Sequence, residues 1–124
     1  MKKIIILICF LFIFVGCNKE IDKKDNNDIT ITKVSCEKAK ELQKDGAILI
    51  DVREKDEYDE RHLDGAINIS YTVIGDKISE ITNNSNQNII VYCLSGGRSN
   101  NAANTLKNKG YTHIYDLGSI NNCD

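Results

Sequence analysis

Of the five cysteines in this 124-residue chain, Cys93 stands in a setting built for reactivity. It ends the apolar run "NIIVYC" (Asn88–Cys93) and is followed at once by "LSGGRS", Leu94 to Ser99. A thiol attacks as its thiolate, so the surroundings must favour a negative sulfur. A cysteine at a strand end, just before a helix start, faces unpaired backbone N–H groups and the positive end of the helix dipole. Gly96 and Gly97 let the intervening segment curl with its amides inward, as a nest for an anion. Arg98 adds a permanent charge and a planar fork of donors. Together these residues predict a nucleophilic Cys93 cradled by Leu94, Ser95, Gly96, Gly97 and Arg98. The competing reading is a buried cysteine before an ordinary Gly-rich turn. It leaves the fixed order of two glycines, an arginine and a helix start unexplained.

Few other groups compete for a chemical role. Asp51 and Arg53 flank the end of another apolar run, "AILIDV". They read as an ion pair holding that strand end beside the loop, or as a contribution to the pocket's charge. His62 suits a hydrogen-bonding role and His113 a surface position. With only these two histidines and no C-x-x-C, a zinc site is not expected. The net charge of −2, without clustered Lys or Arg, argues against a nucleic-acid surface.

The elements that must position Cys93 follow from the apolar pattern. Alternation in "ITITKV" (29–34) predicts a half-exposed strand, and Ser35 is an N-cap for a helix ending before Gly46. "AILIDV" (47–52) and "NIIVYC" (88–93) read as strands buried on both faces. Between them lie a short polar helix in "EKDEYDERH", a short strand in "GAINIS" and a helix carrying Ile74, Ile78 and Ile81. A helix over Ser99–Lys109 stops at Gly110, and "HIYDL" (113–117) is the last strand. This alternation predicts an α/β fold, an open, mainly parallel sheet with helices on both faces. Ligands in such sheets sit at the carboxyl ends of strands, where Asp51 and Cys93 lie.

The chain start belongs to a different category. Met1-Lys2-Lys3 is basic, and Ile4–Val15 is an unbroken apolar run too short for an ordinary membrane span. "FVGC" (Phe14–Cys17) closes it and resembles the lipobox of bacterial lipoproteins. The resemblance implies a leader over residues 1–16, cut before Cys17, and a lipid on Cys17. Residues 17–28, with the polar "NKEIDKKDNND", then form a flexible tether to a domain at 29–124. Without Lys2 and Lys3 the balance is 14 basic residues to 18 acidic, a net −4. The expectation is an exported protein of the bacterial cell envelope, attached to a membrane through its lipid anchor and otherwise monomeric. Cys36, Cys93 and Cys123 remain in the domain, and an odd set leaves at least one thiol unpaired or shared between molecules.

"CLSGGRS" resembles the active loop of rhodanese-like sulfurtransferases, Cys-x-x-Gly-x-Arg-Ser. "LIDVREKDEYDERHLDGAINI" (49–69) resembles the family's Asp-Val-Arg segment and its His-x-x-Gly-Ala-x-Asn, and "AANTLKNKGYTHIYDL" the helix and strand after the loop. The resemblance implies the rhodanese-like fold and a persulfide mechanism. Cys93 would take the outer sulfur of a small sulfur-containing anion such as thiosulfate and pass it to a thiol or cyanide. The amides from Leu94 to Arg98 would hold the persulfide, Arg98 would assist the anionic donor, and no metal or organic cofactor is implied. The family's Gly before the His is Arg61 here. Its terminal Gly-Gly-Ile-x-x-Trp reads "GSINNC", so Ser119 replaces a glycine and Cys123 the tryptophan. The family continues into a last helix, without which one side of the sheet would be uncovered. Cys123 is either a filler at the Trp position or a resolving thiol for Cys93. The filler is expected, with no Cys93–Cys123 bridge.

Two other functions fit parts of this pattern. Cys-dependent dual-specificity phosphatases of related fold have one more residue between Cys and Arg. The four here, Leu94 to Gly97, make a smaller cradle, suited to one sulfur more than to a phosphate. A non-enzymatic lipoprotein carrying a persulfide for a partner would retain the same loop.

Overall fold

Apolar strands without polar interruptions can be stable only where both faces are covered, and the central strand meets that condition fully. In the computed structural model, which describes residues 29–124, β4 (Ile89–Cys93) has five residues of zero exposure. Strands β1 (Thr32–Lys33), β2 (Ile48–Asp51), β3 (Ile67–Asn68) and β5 (Ile114–Ser119) join it in the order β1-β5-β4-β2-β3. All four pairings are parallel. Helices α1 (Cys36–Lys44), α2 (Lys55–Glu60), α3 (Ile74–Ile81) and α4 (Gly97–Asn108) make the crossovers, and a 3-10 turn, Ile120–Cys123, follows β5.

The period-2 pleat divides β4 between two cores. Ile89, Val91 and Cys93 pack with Ile74, Ile78, Ala102, Ala103 and Leu106 from α3 and α4. Ile90 and Tyr92 pack on the other face with Ala39 and Leu42 of α1, and with Leu117 and Ile120. Helices therefore cover both faces of the open parallel sheet. Ser35 caps α1, its hydroxyl accepting from the Lys38 N–H at 3.2 Å.

Three local features differ from the sequence reading, each for a physical reason. The first strand is reduced to two residues, because β1 lies at the sheet edge and pairs only with Tyr115 and Asp116. Helix α4 begins at Gly97, two residues early, because Gly96 at φ +99° turns the backbone sharply enough to start it there. β5 runs on to Ser119 through a bulge: Val91 faces Asp116 and Tyr92 faces Gly118, so Leu117 is the extra residue. The bulge returns Ser119 to the register opposite Cys93.

No helix among the described residues is long and apolar enough to cross a membrane. The leader, Cys17 and the tether lie outside the described residues.

Candidate active site

Three residues separate the end of β4 from the start of α4, and the chain must reverse direction within them. Gly96 makes this possible. Its left-handed φ is one that L side chains rarely adopt, whereas an added Cβ would meet only Gly118 Cα at 3.9 Å, so conformation and not space selects glycine there. The tight loop then aims its amides at the sulfur. Cys93 Sγ accepts from the Gly96 N–H at 3.0 Å and from the Ser99 N–H at 3.3 Å, the second in the first turn of α4. Ser99, fully buried, holds the curl closed by donating its hydroxyl to the Gly96 carbonyl at 3.0 Å.

These donors decide the ionisation of the thiol. Burial is the largest single influence and pushes the Cys93 thiol up, since Cys93 has no exposed surface. The bonds from Ser99, Gly96 and Ser95 together outweigh it, and the thiol lies below its ordinary value. Cys93 is also the free cysteine of the described chain. Amide donors that lower a thiol's pKa supply the electrostatics a thiolate needs.

Arg98 is not presented to the loop interior as an open fork. Its guanidinium donates through Nη1 to Glu57 Oε2 at 2.6 Å and through Nη2 to Glu57 Oε1 at 2.9 Å. This bidentate pair ties the start of α4 to α2 and holds the Glu57 carboxyl down to about 2. Glu57 Oε2 also accepts from the Glu54 N–H at 3.1 Å, so one carboxylate caps α2 and anchors the active-loop arginine. The sequence reading missed Glu57. Its signal was weak, one acid among Asp56, Asp59 and Glu60, although the Glu54-x-x-Glu57 spacing at a helix start was legible as a capping pattern.

Asp51 and Arg53 come together as an ion pair at the end of β2. The Asp51 carboxylate, with no exposed surface, accepts from the Arg53 N–H at 2.9 Å and from its Nη2 at 2.7 Å. Arg53 Nη2 also donates to the Arg61 carbonyl at 2.5 Å. The pair holds the strand end and, through Arg53, the 61–62 segment, while Arg53 also borders a cleft beside the active loop. Its Asp51 bond raises the Arg53 pKa further against burial. His62 stacks on Tyr58, with ring centroids 3.9 Å apart, and its Nδ1 meets the Tyr58 carbonyl at 2.8 Å. His113 Nδ1 lies 2.8 Å from the Thr112 hydroxyl, on the surface. Neither histidine hydrogen-bonds Cys93 or its loop. Among the described residues no group of three His, Cys, Asp or Glu side chains could hold a metal ion.

Beside the loop lies a cleft of about 230 Å³ between α2 and the C-terminal turn, bordered by Arg53, Glu57, Arg61, Leu94 and Asn121. Leu94, 47% exposed, stands at its edge. The Ser119 hydroxyl donates to the Leu94 carbonyl at 2.6 Å, which ties the loop to the end of β5. Ser119 therefore has a site role that its description as a replaced glycine concealed. Cys123 departs from the expected filler: its sulfur is bonded to that of Cys36, with Cα atoms 5.1 Å apart, while Cys93 stays free. The bridge was not legible because it joins residues 87 apart in the chain.

A family profile described as Rhodanese-like domain matches residues 35–122. The thiosulfate sulfurtransferase PspE of Escherichia coli is 35% identical over 71 residues, covering 57% of this chain and 68% of that protein. The thiosulfate sulfurtransferase GlpE of Pseudomonas syringae is 27% identical over 85 residues, covering 68% of this chain and 78% of that one. A solved structure described as a rhodanese with anions from E. coli superposes with a TM-score of 0.60 at 32% identity. It covers 62% of this chain and 91% of that chain.

Proposed function

Since the chain belongs to the rhodanese-like domain family, we propose that it is a sulfurtransferase that carries sulfane sulfur on Cys93. Supporting this reading above all is the Cys93 sulfur receiving two backbone N–H bonds, one from the three-residue loop and one from the first turn of α4. In the proposed cycle the Cys93 thiolate attacks the outer sulfur of thiosulfate. The new S–S bond forms as the bond to the sulfonate sulfur breaks, and sulfite leaves with that electron pair. The persulfide's terminal sulfur is anionic and takes over the role of the thiolate among the amides of Ser95, Gly96 and Ser99. Cyanide or a thiolate then attacks that terminal sulfur. The Cys93 S–S bond breaks, the thiolate returns, and thiocyanate or a new persulfide departs. Every step moves negative charge over one or two sulfur atoms, which suits fixed amide dipoles that need no reorganisation.

Arg98 acts in this reading from the start of α4, which its pair with Glu57 ties to α2. Its remaining positive field still favours an anion in the cleft beside the loop. The same engagement favours a second reading. A guanidinium held by Glu57 gives a small dianion no open fork, and a carrier loaded by a partner's own persulfide needs none. Purified protein turning over thiosulfate and cyanide, with loss of turnover in Cys93→Ser, supports the enzyme. Single-equivalent loading without turnover supports the carrier. Efficient hydrolysis of an aryl phosphate would sink both.

The location is proposed from the sequence alone. The basic start, the apolar run to Val15 and "FVGC" make this a lipoprotein of the bacterial envelope, exported and held by a lipid on Cys17. A domain working there meets an oxidising environment, which accords with a disulfide in its fold.

A further inference from the structure

The Cys36–Cys123 disulfide lies on the far face of the sheet from the active sulfur. Cys93 belongs to the core under α3 and α4, whereas Cys36 and Cys123 pack against the core under α1. Both bridged cysteines are only half-buried, and both line a cleft of about 580 Å³. Its walls are apolar where Leu49, Leu63 and Leu117 meet it. At its rim Lys40 and Lys44, one turn apart on α1, are exposed and make no ion pair among the described residues. Asp64 is the acid that faces them across the cleft. A disulfide open to an entering molecule, beside unpaired cations, is placed to meet an anion that carries a thiol.

The bridge also connects to the active loop through a short path. Cys123 ends the turn that follows β5, and Asn122 Nδ2 donates to the Leu117 carbonyl at 2.8 Å. Ser119, just before the turn, is paired opposite Cys93 and bonds the Leu94 carbonyl. Cys36, at the start of α1, is the covalent point that holds the turn against the domain. Three residues lie between Cys123 and Ser119, which bonds the active loop directly.

We propose that the Cys36–Cys123 disulfide is an exchange site for a small anionic thiol, and that its reduction frees the C-terminal turn and loosens the Cys93 loop. A thiolate entering the cleft attacks one of the two sulfurs. A mixed disulfide forms as the Cys36–Cys123 bond breaks, and the other cysteine leaves as a thiolate that takes a proton from water. A second thiolate attacks the entrant's sulfur in the mixed disulfide, releasing the remaining cysteine. The two small thiols end as their own disulfide, oxidised by two electrons, and the protein is reduced by the same two. With its covalent point gone, the turn is held by Ile120, the Asn122 bond and the exposed Arg61–Asp124 pair, and the Ser119–Leu94 contact exchanges with open forms. The effect on sulfur transfer rests on the sulfurtransferase reading; the effect on the exposure of Cys93 does not.

The test uses the full chain with two thiols of similar size, 2-mercaptoethanesulfonate and neutral 2-mercaptoethanol, compared at equal thiolate concentration. The release of alkylatable Cys36 and Cys123 is followed by peptide mapping. The sulfonate is expected to open the bridge about threefold faster, as two exposed lysines would favour it, and Lys40→Gln/Lys44→Gln is expected to level the rates. Cys93 is expected to alkylate several-fold faster in the reduced protein, and the rate to return on reoxidation. Cys36→Ser/Cys123→Ser should show the fast rate constitutively, and reduced wild-type protein carries the same comparison if that variant folds poorly. Equal rates for the two thiols, a preference that survives loss of both lysines, or a bridge that opens only in denaturant overturns the exchange site. An unchanged Cys93 rate overturns the coupling. Transfer to cyanide, measured after the small thiols are removed, is expected to fall on reduction and recover on reoxidation. A protein with the full alkylation pattern and no transfer in either state retains this site and loses the sulfurtransferase reading instead.

Discussion

Replacing Glu57 by Gln removes the charge from a pair that the sequence alone did not reveal and keeps the side chain's size. The Glu57 carboxyl is held at about 2 against an unpaired value of 4.5, chiefly by its bond to Arg98. That gap sets a ceiling of about 3 kcal/mol on what ionising Glu57 contributes to folding. Both side chains are 27% exposed, so solvent screening brings the expected loss in Glu57→Gln to about 1–2 kcal/mol. The sign against pH is fixed by the lowered carboxyl. The wild type's advantage is complete above about 4.5 and is lost as the pH falls through about 2. Urea unfolding of both proteins at pH 7 and at successively lower pH should therefore show a gap that narrows below 4.5. The sulfur provides a second readout. Its bonds come from the Gly96 and Ser99 amides, so the midpoint of Cys93 alkylation with pH should move by less than about half a unit. A stability loss under about 0.3 kcal/mol would show the pair to be solvated and idle. A thiol midpoint raised by about a full unit would refute the assignment of thiolate stabilisation to the amides.

Three further outcomes follow from the same geometry. Gly96→Ala should cost about 1–2 kcal/mol in urea unfolding and slow Cys93 alkylation, because the φ of +99° is unfavourable for alanine although the space is open. Wild-type stability with an unchanged alkylation rate would show that the loop tolerates another conformation. The rate of Cys93 alkylation should climb with pH and level off before the ordinary thiol range, since the thiol is lowered and its reactive form is the deprotonated one. A profile still rising through that range would contradict the lowered value. Cys17→Ser should move the protein out of the membrane fraction or leave its leader uncut, as seen by fractionation and mass. Normal processing with unchanged membrane association would remove the lipid anchor.

The parts of this structure that were legible in the sequence are those set by short-range pattern. β4 is an apolar run bounded by polar residues, and such a run places its last residue at the carboxyl edge of a parallel sheet. The curl around Cys93 is written in neighbouring residues, from Gly96 to the helix start. Ser35 as a cap and Ile74 and Ile78 as a buried stripe are likewise local. What escaped depends on distances across the fold. Glu57 and Arg98 are 41 residues apart, and nothing in the acidic stretch of α2 marks which carboxylate faces the loop. The choice of Cys36 as Cys123's partner needs the packing of α1 against the terminal turn. The two-residue β1 reflects sheet position, because an alternating pattern does not state how much of an edge strand finds a partner.

The most direct test of sulfur chemistry at Cys93 is the mass of the protein after brief exposure to thiosulfate and rapid desalting. A persulfide mechanism predicts a gain of one sulfur atom on the peptide carrying Cys93, absent from Cys93→Ser and discharged by cyanide as thiocyanate. No added sulfur on wild-type protein with its Cys93 thiol free, or the same gain in Cys93→Ser, would contradict it.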